Sequence, residues 1–218
     1  MWIENDLVLP VWPDATQKGR RIREQILRTT LQILVDDGFA ALTLRRVARA
    51  VGAHLSTLMH YYPTHDDLIA ELMQTILETF RQQISALYDM PDSSPREHLE
   101  NMLRATTGDL SDFSAMSLFF ELWAESNRNP LVKDLLFQVY KSGERPLVAA
   151  IREFRTDLSE AEAERLCVLG VSLLEGLMVP AGPGRAYADC MPAFIELTIG
   201  AFLQMVATIP AGKLDIPR

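Results

Sequence analysis

The stretch Thr43–Tyr62, TLRRVARAVGAHLSTLMHYY, decides the fold. Thr43 is a natural N-cap, and Leu44, Val47, Ala48 and Val51 follow it at helical spacing before Gly52 stops the run. That predicts a helix of only about two turns. After Gly52-Ala53 a second short helix is predicted from His54 to Tyr61, ended by Pro63. Within it Leu58 and Tyr62 fall four apart and define an inward face, with Leu55 beside it. Ser56 and His60 then point outward, flanked by Thr57 and Tyr61. That outward face holds hydroxyls, an imidazole and a phenol but no acid. Such groups suit base edges and phosphate oxygens, which would repel a carboxylate. Arg45, Arg46 and Arg49 stand alongside. A short helix presenting this surface can read the DNA major groove.

Upstream, a helix is predicted from Gly19 to Asp37. Ile22, Ile26 and Ile33 give it an apolar face widened by Leu27, Leu31 and Leu34, and Gly38 suits a C-cap. One longer helix followed by two short ones around a glycine turn is a helix-turn-helix pattern. Before it, residues 1–18 form an arm. Pro10 and Pro13 interrupt regular structure there, and Trp2 and Trp12 can pin the arm to another surface.

Downstream, Thr64 with Asp66 and Asp67 opens a long helix to about Tyr88, a loop spans Met90–Pro95, and five further helices follow to residue 208. No alternating strand pattern occurs. The fold class is therefore all-α, with about nine helices. A three-helix unit at 19–65 precedes a larger helical domain at 66–218.

The net charge of −8 argues against a nucleic-acid partner until its distribution is read. Residues 18–65 carry eight basic and three acidic side chains, while residues 66–218 carry thirteen and twenty-three. A basic end on an acidic body fits a protein that meets a polyanion with one end. The two cysteines, Cys167 and Cys190, support neither a disulfide framework nor a structural zinc site, and both are expected to be buried thiols. His54, His60 and His65 do not share a helical face, so no metal is expected, nor any cofactor. No stretch approaches the roughly 18 consecutive apolar residues of a membrane span. A soluble cytoplasmic protein without a membrane partner is the expectation.

The segment from Arg20 to about Phe80 resembles the DNA-binding domain of TetR-type transcriptional regulators. The resemblance rests on Gly38-Phe39, Leu42-Thr43, Val47-Ala48, Val51-Gly52, Thr57-Leu58, His60-Tyr61-Tyr62-Pro63 and Leu68. It implies a palindromic double-stranded DNA operator, bound by a homodimeric repressor that a small effector releases. It also implies that Thr43 donates to a phosphate and Arg45 adds a backbone or base contact, while His54, Ser56, Thr57, His60 and Tyr61 lie at or near the groove. Three positions depart from the common pattern. Leu55 stands where a polar or basic residue is frequent and offers an apolar contact. Met59 replaces a tyrosine, and His65 replaces a phosphate-neutralising lysine, which would weaken non-specific affinity or make it pH-dependent. Phe119-Phe120-Glu121-Leu122-Trp123-Ala124 and the helix after Pro130 are similar to the choline-responsive, BetI-like branch.

An effector pocket is expected among the middle helices, lined by Phe113, Met116, Phe119, Phe120, Trp123, Tyr140, Glu175 and Met178. Aromatics with a carboxylate suit a cationic or amphipathic organic ligand. Glu121 and Glu125 lie beside them as pocket neighbours or as a wet acidic face. The last two helices are apolar nearly all round, and Gly170, Gly176 and Gly200 allow close helix approach. That pattern predicts a two-fold four-helix dimer interface. The rival classes are a helical-bundle enzyme and a small-molecule-binding protein without a DNA role. Ser56 and His60 lack the third orienting group and oxyanion donor that nucleophilic catalysis needs, so catalytic residues are not expected.

Overall fold

The computed structural model describes residues 7–87 and 94–214. Trp2 and the expected loop at 90–93 lie outside the described residues. Among the described residues there is no strand, and nine helices of seven or more residues account for the fold. They are α1 (Gln17–Asp37), α2 (Leu44–Val51), α3 (Leu55–Tyr61), α4 (His65–Leu87), α5 (Pro95–Ala105), α6 (Phe113–Ser126), α7 (Pro130–Phe154), α8 (Glu160–Gly176) and, after the single-turn α9 (Met178–Ala181), α10 (Met191–Thr208).

Local chemistry sets most boundaries. Thr16 caps α1 by accepting from the Gly19 N–H, and Thr43 caps α2 by accepting from the Arg46 N–H. Gly52 closes α2 with φ 75°, a left-handed turn that a side chain would resist. Ser94–Glu97 and Ser159–Glu162 are reciprocal capping boxes at the starts of α5 and α8. Glu162 also accepts from the Gly212 N–H at 2.6 Å, tying the segment after α10 to α8. These hydrogen bonds, first that from the Ser159 N–H, hold the Glu162 carboxyl below the usual glutamate range.

The chain forms two compact units, one of residues 1–81 with 117–139 and one of 82–116 with 140–218. The first has a core of Ile26, Leu27, Leu31, Leu34, Val47, Leu58, Tyr62, Leu68 and Leu72, all at most 1% exposed. The inward face expected from Leu58 and Tyr62 is the observed one. The described part of the arm, from Leu7 onward, is docked in this unit. Leu7 is buried, Val8 N–H donates to Thr79 Oγ1 at 3.0 Å, and Trp12 Nε1 donates to Glu71 Oε1 at 2.6 Å.

The second unit packs α8 against α10, where a Cβ on Gly170 would stand 2.7 Å from the Phe202 ring. Arg155 donates to the carbonyls of Val206, Ala207 and Ile209, which the end of α10 leaves without helical partners. A Cβ on Gly176 or Gly200 would meet open space within the chain. Cys167 is buried, and burial pushes its thiol up to about 12. Cys190 is exposed, a correction to its expected burial, because it lies in the turn Ala188–Cys190 before α10 begins. Residues 188–208 are long and apolar enough by length and composition to cross a membrane, and 33% of the 18-residue apolar window within them is buried inside the chain.

Candidate nucleic-acid interface

The first helix of the motif, α2, turns Val47 and Ala48 inward and leaves Arg45, Arg46 and Arg49 exposed. Arg46 is engaged from behind by a salt bridge to Asp37 at the end of α1. Thr43 is exposed, its oxygen used as the cap acceptor, so the hydroxyl proton is free to donate outward. The left-handed Gly52 reverses the chain, and His54 takes the N-cap position of α3 without using its side chain as a cap. His54, Ser56, Thr57, Met59 and His60 are exposed, and Leu55 is half-buried. This gives an acid-free outward face on α3, with Arg45 and Arg49 on α2.

Tyr61 sits differently from its expected exposure. It is half-buried, and its ring lies 5.8 Å beneath the Arg23 guanidinium and 5.2 Å edge-on to His60. Its hydroxyl is 3.9 Å from where a Cβ on Gly19 would stand, so the start of α1 lies beside the reading helix. Arg23 is turned inward as well. It stacks over Trp12, Tyr61 and Tyr62 and lies 3.9 Å from the Glu71 carboxylate, while Arg20 and Arg21 remain exposed. The Tyr62 hydroxyl is raised well above its ordinary range, first by burial and then by the negative charge of Glu71. His65 keeps its Nδ1 edge 3.6 Å from Asp66, but its Nε2 is buried without a hydrogen-bond partner. Any phosphate contact from His65 must therefore use the Nδ1 side.

The effector candidates fall in both units. In the first, the rings of Phe80, Phe119, Trp123 and Phe120 form a chain with centroid separations of 5.6, 6.0 and 5.6 Å. Phe80 on α4 was not among the candidates; a phenylalanine at core spacing on a long helix carries no local sign of such a role. In the second unit, Tyr140 Oη donates to Glu175 Oε1 at 2.9 Å, bringing two candidates together. Burial pushes the Glu175 carboxyl up to about 7 against the lowering effect of that bond. Met116 and Met178 are buried, and a Cβ on Gly182 would collide with Met116 Sδ. Phe113 is 60% exposed at the first position of α6, so its ring has little packing of its own. Glu121 is half-buried and accepts from the Phe39 N–H at 2.9 Å. Among the described residues, no group of three or more His, Cys, Asp or Glu side chains can hold a metal.

Residues 26–72 match the family model of bacterial regulatory proteins of the tetR family. The HTH-type transcriptional regulators BetI of Klebsiella pneumoniae and Escherichia coli K12 are each 24% identical over 162 residues, 73% of this chain and 81% of theirs. A transcriptional regulator from Saccharomonospora viridis in complex with choline superposes with a TM-score of 0.67 at 17% identity, over 87% of this chain and 97% of that one. A TetR transcription regulator from Haloarcula marismortui gives 0.66 at 19% identity, over 86% and 97%. At these identities the structures speak for the fold alone. The matched segment contains the whole of α2 and α3 and the acid-free face just described, so residues 26–72 form a helix-turn-helix DNA-binding domain of the tetR type.

Proposed function

We propose that the protein is a homodimeric, ligand-responsive repressor that binds a palindromic operator and is released by a small organic cation or amphipathic ligand. One observation carries the DNA part: the exposed face of α3 holds Ser56, Thr57 and His60 without an acid, beside Arg45 and Arg49. Thr43, Arg45, His54, Leu55, Ser56, Thr57, His60, Tyr61 and the Nδ1 edge of His65 are the proposed contacts. In this reading residues 19–65 read DNA, residues 66–218 carry the effector and dimer functions, and α4 belongs to both compact units.

The dimer reading is supported by exposed apolar stripes on the two last long helices. Val168, Leu169 and Leu173 on α8 and Leu197 on α10 are 58, 39, 41 and 69% exposed, and the open Gly176 and Gly200 lie in line with them. A second copy of the same surface covers both stripes at once and removes apolar area from water. This assigns the apolar α10 to a protein interface rather than a bilayer. The cationic effector is supported by the Tyr140–Glu175 pair. A half-buried carboxylate one residue from the end of α8 is disfavoured by its partial burial and by the negative end of the helix dipole, and a cation relieves both. The Saccharomonospora viridis relative was crystallised with choline, a cation of this class.

The test is binding-site selection from random duplexes, followed by titration of the selected duplex against salt, with and without choline. A palindromic consensus, a steep loss of affinity with salt and release by choline are expected. Sequence-independent binding would sink the operator reading. Failure of choline and of longer quaternary amines to release DNA would sink the cationic effector.

A further inference from the structure

The turn between α1 and α2 sets how the first motif helix leaves the α1 scaffold. Gly38 closes α1 with its N–H on the Leu34 carbonyl, then turns the chain at φ 77° into the short 3-10 turn Phe39–Ala41. Leu42 is buried and Thr43 starts α2. Gly38 has no side chain to cap that 3-10 turn, so the first N–H, that of Phe39, needs a partner from elsewhere. Glu121, 82 residues away on α6, supplies it at 2.9 Å. Its carboxylate lies flat on Gly38: a Cβ there would meet Oε2, Cδ and Oε1 at 2.8, 2.9 and 2.9 Å. Gly38 therefore provides both the left-handed backbone and the room for the carboxylate. Glu121 is two residues from Phe119 and two from Trp123, the rings that bridge α6 to Phe80 on α4. A rotation or slide of α6 that moves those rings moves the carboxylate that holds the motif turn.

We propose that Glu121 is a positioning residue for DNA binding, which fixes the α1–α2 turn from α6 and couples the aromatic cluster on α6 to the reading motif. The proposal rests on the operator reading above but needs no effector. Coupling is reciprocal, so operator binding must be felt at Trp123 through Glu121.

The experiment uses full-length protein labelled with fluorotryptophan, its Trp123 resonance assigned by Trp123→Phe, and a duplex selected by the wild type. In the wild type the Trp123 resonance is expected to shift when the duplex saturates. In Glu121→Ala the Phe39 amide should exchange with solvent about tenfold faster, since a hydrogen bond to a charged acceptor is lost. The same variant should bind the duplex about tenfold more weakly, and its Trp123 resonance should no longer respond at saturation. Glu121→Gln keeps an acceptor oxygen and should restore the response. Gly38→Ala, which displaces the carboxylate, should reproduce the loss and serves if Glu121→Ala does not fold. A Trp123 response of wild-type size in both Glu121→Ala and Gly38→Ala overturns the proposal, as does unchanged Phe39 exchange or a silent Trp123 in the wild type. Failure to select any duplex overturns the operator reading together with this one. A bound duplex with unchanged exchange overturns this one alone.

Discussion

Trp12 donates its indole N–H to Glu71 at 2.6 Å, and Arg23 lies over the same indole at 5.6 Å and beside the same carboxylate at 3.9 Å. This three-way contact fastens the arm to both α1 and α4. Trp12→Phe keeps the ring and deletes the donor. Loss of about 1 kcal/mol is expected, a fall of about 2–4 °C in Tm by calorimetry. An unchanged Tm would mean the arm adds nothing to the unit.

Neighbouring residues on the reading helix should separate function from stability. His60 is exposed, so His60→Ala should weaken operator binding and shift stability by about 0.5 kcal/mol or less. Tyr61 packs under Arg23, so Tyr61→Ala should weaken binding and cost about 1–2 kcal/mol as well. Denaturant melts of the two variants check this, and equal losses would contradict the difference in burial.

Glu175 makes stability depend on pH in a stated direction. Its folded pKa of about 7 lies above the ordinary glutamate value, so the native state holds the proton longer than the unfolded chain. Stability is then lost as pH rises through that interval and stays lost above it. Glu175→Gln should gain on the wild type by up to about 3 kcal/mol at pH 8 and by little at pH 4. Urea melts across the range test it, and a gain independent of pH would exclude the carboxyl as its source.

Gly170→Ala places a methyl 2.7 Å from the Phe202 ring, which is 2% exposed and has little room to yield. A cost of about 1–3 kcal/mol is expected from overpacking. Gly200→Ala meets nothing within the chain and should leave the isolated fold unchanged.

Leu197→Arg places a charge on the exposed stripe of α10. In the proposed dimer it should give a monomer in sedimentation with near-native helicity, and operator affinity should fall with it. A dimer that persists moves the interface elsewhere.

The helix-turn-helix was legible because its signals are local. Thr43, Gly52 and Pro63 act on the backbone within one turn of themselves, and the Leu58–Tyr62 repeat fixes a face whatever packs on it. The cap of α2 and the inward face of α3 therefore stand where the local signals put them. The candidate pocket was less legible. Composition drew attention to Phe119, Phe120 and Trp123, but nothing local distinguishes them from Phe113, which stands 60% exposed at the first position of α6.

The sequence by itself determined the succession of helices, the acid-free face of α3 and the apolar excess of α8 and α10, because each follows from neighbours within a few residues. Only the tertiary structure decided that Glu121 holds Phe39, that Tyr140 holds Glu175 and that Trp12 holds Glu71, pairs separated by 82, 35 and 59 residues. It also decided that Arg23 turns inward and that Gly170 is crowded while Gly200 is open. A hydrogen bond or a close approach across such separations depends on where the packed helices bring two side chains, and the helical repeat along one segment carries no record of its partner.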